Sequence, residues 1–238
     1  NVFDQIPYHL LNHDDIVITS SYKPIITNQN LNKARFLNIH YALLPKYRGM
    51  HPIVWSLING ESHVGYTIHQ TTDIVDGGPI YFQRSLKVDS YDSWQLMLMI
   101  DKLVEKNMPI FLNDFILGKL KPKIQNESEA ICVAPRNIDD CKVNWSEWNC
   151  ILFPRYLKAL VPPYPRPFFL HKGQKCELLD CEVRKINYFE INGHVVHVSN
   201  ESVGVKVSDG IVFLRYLLIN NEKVNANLIL PKIGIRLQ

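Results

Sequence analysis

Leu37-Asn38-Ile39-His40-Tyr41-Ala42-Leu43-Leu44-Pro45-Lys46-Tyr47-Arg48-Gly49 is the stretch on which the reading of this chain turns. Phe36 to Ile39 alternates in the manner of a strand and runs into a turn that holds Pro45 and Gly49. Asn38 and His40 are two residues apart, so while the backbone stays extended their side chains share one face. An amide donor and a titratable imidazole are thereby brought to the carboxyl end of a strand. Open α/β sheets bind ligands at that end.

The neighbouring residues supply the rest of such a sheet. Asp15 to Thr19 contains a β-branched run that reads as a buried parallel strand. His51 to Ile58 reads as a helix stopped by Asn59-Gly60, and Val64 to Gln70 and Pro79 to Phe82 as further strands. Ser93 is the expected cap of a long helix with apolar positions Leu96, Ile100, Leu103 and Val104; Phe111 to Leu117 continues it to Gly118. Lys119 to Asn144 is polar and irregular, a crossing between domains. A helix then runs to Leu160 and stops at Val161-Pro162-Pro163-Tyr164-Pro165-Arg166-Pro167. Short strands follow over Cys176–Val183, His194–Val198, Gly204–Val207 and Gly210–Leu218, with turn signals at Asn192-Gly193 and Asp209-Gly210. The expected division is residues 1–125 as a core, 126–163 as a connecting segment with a helix, and 164–238 as a small β domain.

Composition bounds the function classes. The 238 residues are 46% hydrophobic and 21% charged, ordinary for a globular protein able to bury a core. A formal charge of +3 and the lack of a long basic run argue against a nucleic-acid partner. No apolar run reaches the roughly 18 residues of a membrane span, and no secretory leader pattern opens the sequence, so a cytoplasmic protein is expected. Cys132, Cys141, Cys150, Cys176 and Cys181 form no C-x-x-C and read as reduced thiols. His40, His51, His63 and His69 show no ligand spacing, so no metal is expected.

Further motifs follow the opening stretch in order: Pro52-Ile53-Val54-Trp55-Ser56-Leu57-Ile58-Asn59-Gly60-Glu61, Gly65-Tyr66-Thr67-Ile68-His69, Asp73-Ile74-Val75-Asp76-Gly77-Gly78-Pro79-Ile80 and Gln83. Together they resemble the folate-dependent formyltransferase family. The resemblance runs from about Ile16 to Pro122 and more weakly onward, where V-N-W-S and P-Y-P-R-P-F-F resemble the start of that family's C-terminal β-barrel. It implies a Rossmann-like α/β core followed by a small all-β, OB-like domain, with N10-formyltetrahydrofolate as formyl donor. The family's Asn, His and Asp fall here on Asn38, His40 and Asp76. A neutral side-chain amide suits a developing oxyanion. The imidazole suits proton transfer, and Asp76 is expected to orient it and raise its pKa.

By the same resemblance, folate is expected along Pro24, Ile25 and Ile26 and the loop from Thr72 through Val75 to Asp76, bounded by Leu44 and Pro45. Two departures stand out. Ala42 occupies the place of a usual Ser before LLP, and only 15 residues precede Ile16, where the family has another βαβ half of about 30 residues. The front of the core is therefore expected to be shortened or missing, with an exposed sheet edge.

Three acceptors compete: glycinamide ribonucleotide, charged initiator transfer RNA, and a nucleotide-linked amino sugar. The modest charge and the continuation past Lys119 favour the third, a dTDP-amino-dideoxyhexose for surface polysaccharide, over a methionyl-transfer-RNA formyltransferase-like enzyme or a non-catalytic binding relative. Ser20-Ser21-Tyr22-Lys23 resembles the S-x-x-K segment of the sugar enzymes, making Lys23 a phosphate or sugar contact; Arg48, Arg155, Tyr156 and Tyr164 are candidates for phosphate pairing or base stacking. A homodimer through the apolar C-terminal strands is expected.

Overall fold

The computed structural model describes residues 5–237, so the outermost ends of the expected first and last domains lie outside the described residues. It divides into two compact units: residues 1–56, 61–90 and 95–135, and residues 57–60, 91–94 and 136–238.

The first unit is mixed α/β. In chain order it contains β1 (Ile16–Ser20), α1 (Asn28–Leu31), β2 (Arg35–His40), β3 (Arg48–Gly49), most of α2 (Pro52–Asn59), β4 (His63–Gln70), β5 (Ile80–Lys87), most of α3 (Ser93–Ile116) and β6 (Cys132–Val133). Its sheet has the order β1-β2-β4-β5; β1 and β2 are parallel, the other pairs antiparallel. β2 and β4 carry the buried apolar residues Phe36, Leu37, Ile39, Val64, Tyr66 and Ile68. Helix α3 buries a stripe of Leu96, Ile100, Phe111 and Phe115 at helical spacing. Phe111 and Phe115 meet Phe82 and Tyr81 of β5 edge-on, at ring-centre distances of 5.8 and 4.9 Å.

Three local expectations are corrected here. β1 is an edge strand rather than a buried one: Ile16, Val17 and Ile18 are half-buried, and among the described residues no strand pairs with its outer side. Ser93 does not cap α3. It is the first helical residue, and its hydroxyl is buried without a hydrogen-bond partner among the described residues. The polar stretch after α3 is not only a crossing, because β6 pairs in parallel with β3, Arg48 opposite Cys132 and Gly49 opposite Val133.

The second unit holds α4 (Leu152–Ala159), β7 (Phe168–His171), β8 (Gln174–Leu178), β9 (Glu182–Lys185), β10 (Val195–Val198), β11 (Val203–Val207), β12 (Gly210–Leu214), β13 (Tyr216–Ile219), β14 (Glu222–Asn225) and α5 (Ala226–Ile229). They form two four-stranded sheets, β10-β11-β12-β9 and β14-β13-β8-β7. The expected strands Cys176–Val183 and Gly210–Leu218 are each broken in two, at residues 179–181 and at Arg215, and the halves enter different sheets. Such breaks let a continuous apolar run serve two layers around one core. That core joins Val203, Val205, Val207, Val212, Leu214, Leu217 and Ile219 to Trp145, Trp148, Phe153 and Phe169. Of the apolar strands that suggested a dimer contact, Gly204–Val207 is buried in this unit, while Ile211, Phe213, Tyr216 and Leu218 are half-buried.

Candidate functional site

The parallel pairing of β1 with β2 sets Thr19 beside Asn38, and the antiparallel pairing of β2 with β4 sets Asn38 opposite His69 and His40 opposite Thr67. The Thr19 hydroxyl donates to the Asn38 side-chain oxygen at 3.0 Å, which fixes the amide. Its nitrogen therefore turns the other way, to 3.3 Å from His69 Nε2 and 3.3 Å from Asp76 Oδ1.

Asp76 sits in left-handed backbone (φ +51°) at the end of the Asp73-Ile74-Val75 loop. Its carboxylate accepts the Gly49 N–H at 2.8 Å through Oδ2. It faces two imidazoles: His40 Nδ1 lies 3.5 Å from Oδ2, and His69 Nε2 lies 3.4 Å from Oδ1. Each ring is anchored through its other nitrogen to a backbone carbonyl. His40 Nε2 donates to Tyr47 O at 2.7 Å, and His69 Nδ1 to Gln70 O at 2.9 Å. A carbonyl only accepts, so both anchors hold a hydrogen on the ring nitrogen concerned. The rings stand 6.4 Å apart at 84°.

The turn that carries Tyr47 is itself pinned from the sheet. The Thr67 hydroxyl donates to the Ala42 carbonyl at 2.6 Å and accepts the Leu44 N–H at 3.2 Å. The Gln83 amide donates to Thr67 Oγ1 and the Leu44 carbonyl at 2.8 and 3.0 Å. Thr67 is fully buried, so these bonds form away from water and set the position of the loop.

Burial sets the electrostatics. It pushes the His40 imidazole below its usual pKa; Asp76 and the Tyr47 carbonyl pull it back up, His69 opposes them, and the net shift is downward. Asp76 does raise the His40 pKa, as expected, but desolvation outweighs the carboxylate. For Asp76 the balance is reversed. Burial raises its pKa, but His69, His40 and the Gly49 N–H together hold it below the usual carboxylate range. The pair is therefore poised as a carboxylate beside a neutral imidazole near pH 7.

A cleft of about 170 Å³ opens onto this cluster, lined by Asn38, His69 and Asp76 together with Lys23, Pro24, Ile25, Ile26, Thr72 and Val75. Ile25 and Val75 present apolar surface there, 84% and 63% exposed. Leu44 is buried and Pro45 half-buried, and neither is among the residues lining this cleft. His40, 7% exposed, lies behind Asp76 rather than in the lining. Arg48 is also corrected: its buried guanidinium donates to Glu127 at 2.8 and 2.9 Å and to Gln125 at 2.8 Å, so it is not offered to a phosphate. Arg155, Tyr156 and Tyr164 belong to the second unit. There Tyr156 stacks on Trp148 with ring centres 3.7 Å apart, and Tyr164 lies under the Arg136 guanidinium at 5.6 Å.

Sequence reasoning missed His69, Thr19 and Gln125. The signal for His69 was present, since Gly65-x-Thr67-x-His69 repeats the two-residue spacing of Asn38 and His40 on the adjoining strand. Gln125 carries no local signal, because only the fold returns it to Asp76.

The family described as formyl transferase matches residues 8–111, and the formyl transferase C-terminal domain matches residues 137–230. A methionyl-tRNA formyltransferase of Wigglesworthia glossinidia brevipalpis is 28% identical over 213 residues, covering 88% of this chain and 66% of the relative. The chain thus spans just under two thirds of that relative's length. A sugar N-formyltransferase from Shewanella sp FDAARGOS_354 is 26% identical with a TM-score of 0.61, covering 71% of this chain and 70% of that one. WlaRD, a sugar 3N-formyl transferase solved with dTDP and 5-N-formyl-THF, is 18% identical with a TM-score of 0.67, covering 92% of this chain and 77% of that one. With both domains of the family matched in order along one chain, this protein belongs to the formyl transferase family.

Proposed function

We propose that this chain carries the machinery to transfer a formyl group from N10-formyltetrahydrofolate to the primary amine of a nucleotide-linked amino sugar. The observation that carries the reading is the side-chain amide of Asn38 at a cleft wall, beside a carboxylate that faces two imidazoles. In the step proposed, the acceptor nitrogen attacks the formyl carbon while an Asn38 N–H stabilises the oxygen that becomes negative. A new C–N bond forms, the bond from carbon to N10 of folate breaks, and the proton lost by the acceptor is taken up at Asp76, held by His40 Nδ1 behind it, and returned through the Asp76 carboxylate to N10. Low-lying protonation of His40 keeps the imidazole free to receive that proton near neutral pH. Ile25 and Val75 supply exposed apolar surface suited to a flat ring system, and Lys23 a cation at the same cleft.

The amino-sugar acceptor is supported by the resemblance to the Shewanella sugar N-formyltransferase and by a formal charge of only +3. The dTDP form rests on the resemblance in the Ser20–Lys23 segment and on WlaRD, similar in fold and solved in the presence of dTDP. A second reading, charged initiator transfer RNA as acceptor, is favoured by the printed name of the Wigglesworthia relative. Purified protein incubated with N10-formyltetrahydrofolate and a panel of dTDP- and UDP-amino sugars, with charged initiator transfer RNA in parallel, separates the two. Formylation of a sugar amine is expected; formylation of the transfer RNA alone would replace the first reading with the second.

A further inference from the structure

Asp76 is held in place by a set of buried contacts that the proposed transfer step does not use. The Gln125 side chain is 6% exposed and makes four hydrogen bonds. Its Nε2 donates to the carbonyl of Asp76 and to the carbonyl of Gly78, each at 2.7 Å. Its Oε1 accepts from Arg48 Nε at 3.2 Å and from Arg48 Nη2 at 2.8 Å. The direction of the amide is not a choice: a guanidinium only donates and a carbonyl only accepts, so a flipped Gln125 would lose all four bonds.

Arg48 is equally fixed. It is 4% exposed and fork-paired with Glu127, two residues beyond Gln125, while its own N–H donates to Ile131 O at 2.8 Å. The next residue, Gly49, supplies the N–H that Asp76 Oδ2 accepts. One short strap, residues 125–133, therefore grips Asp76 twice: through Gln125 at its backbone, and through the β3–β6 pairing at its carboxylate.

We propose that Gln125 is a positioning residue, held by the Arg48–Glu127 pair, that sets the Asp76 carboxylate between the His40 and His69 rings. The inference rests on the reading of the site given above. Left-handed backbone at Asp76 is costly for a residue other than glycine and persists only where neighbours over-determine it. Gln125 supplies that determination from inside the fold, whereas the carboxylate's contacts with His40, at 3.5 Å, and His69, at 3.4 Å, are too long to supply it. If the carboxylate moved by about 1 Å, the proton path would lose alignment, and errors of that size cost on the order of a hundredfold in rate.

The test is Gln125→Met, close in volume and with no hydrogen-bond donor, followed by NMR titration of the His40 ring and by steady-state kinetics. The groups that face this ring are Asp76, the Tyr47 carbonyl and the His69 ring. The variant is expected to move the His40 titration to lower pH, because the carboxylate that favours the protonated ring has drifted. Turnover should fall roughly 10- to 100-fold with KM for the folate donor changed less than about threefold. A residue that only supported folding would lower the yield of folded protein and leave both the titration and the KM-to-kcat split of the folded fraction unchanged; that result overturns the proposal. Should Gln125→Met fail to fold, Glu127→Gln repeats the test from an exposed position, with a smaller shift in the same direction expected and no shift overturning it. A wild-type protein inactive towards every acceptor, but with a titration shift in the variant, would refute the function proposed above and leave this positioning role standing.

Discussion

Asn38 and His40 are asked to do different things, and their substitution should separate those tasks. Asn38→Ala removes the donor for the developing oxyanion, and His40→Ala removes the buried proton acceptor; each should lower formyl transfer at least about a hundredfold with the far-ultraviolet spectrum unchanged. Near-normal turnover in either variant would remove that residue from the mechanism. The pH dependence follows from burial. His40 in the folded protein titrates below the ordinary histidine value, so the acid limb of turnover should lie below about pH 6.5. In the window between that folded value and 6.5 the unfolded chain binds more protons, so stability rises with pH there and is lost as pH falls through it. Asp76 has the same sign at more acid pH: its folded value is lowered, its contribution is present above the unfolded value and disappears as pH falls through the folded one. Asp76→Asn removes an upward pull on His40, so the acid limb, read on the residual activity, should move to still lower pH. A limb that stayed put would show that His40 does not carry it.

Elements place these residues, and the sequence shows some placements better than others. The β2 strand with Asn38 and His40 could be read directly, because alternation, the Pro45–Gly49 turn and the helix after it are all local signals. The loop with Asp76 showed its part only through the family resemblance, being Gly-rich punctuation by its residues alone, and the segment after α3 could be read only as polar chain. Two residues of β6 pairing with two of β3 leave no periodicity to find, yet this short ladder carries the Gly49 N–H that holds Asp76. Strand breaks at residues 179–181 and at Arg215 were hidden for a related reason: apolar side chains continue across both, and only the need to fill two sheets parts them. Gly49 tests the short ladder. Its φ of +102° favours glycine, and a Cβ built there would lie 2.3 Å from the Val133 carbonyl oxygen. Gly49→Ala should cost at least about 2 kcal/mol and lower formyl transfer beyond that loss, by turning the N–H away from Asp76. Urea unfolding paired with activity per folded molecule checks both, and an unchanged midpoint would show that β3 and β6 give way freely.

At the scale of the molecule the open question is which amine reaches the cleft, and bulk charge gives a handle on it. Transfer RNA is a polyanion, and a protein that neutralises several of its phosphates releases counterions, so binding falls steeply and linearly on logarithmic axes as salt rises. A sugar diphosphate carries only a few charges, and a formal protein charge of +3 offers no long-range field of the kind that gathers a polyanion. Acceptor affinity should therefore change no more than about threefold between 50 and 200 mM salt if an amino sugar is the acceptor, whereas six or more phosphate contacts would cost about a thousandfold over the same range. The measurement separates the readings even before the sugar is identified, because competitors can be compared with it: free dTDP should inhibit formyl transfer competitively with the amine, and bulk transfer RNA should not. Inhibition by transfer RNA that vanishes by 200 mM salt, with no effect of dTDP, would instead assign the acceptor to the nucleic acid and make the small net charge a poor guide to this surface.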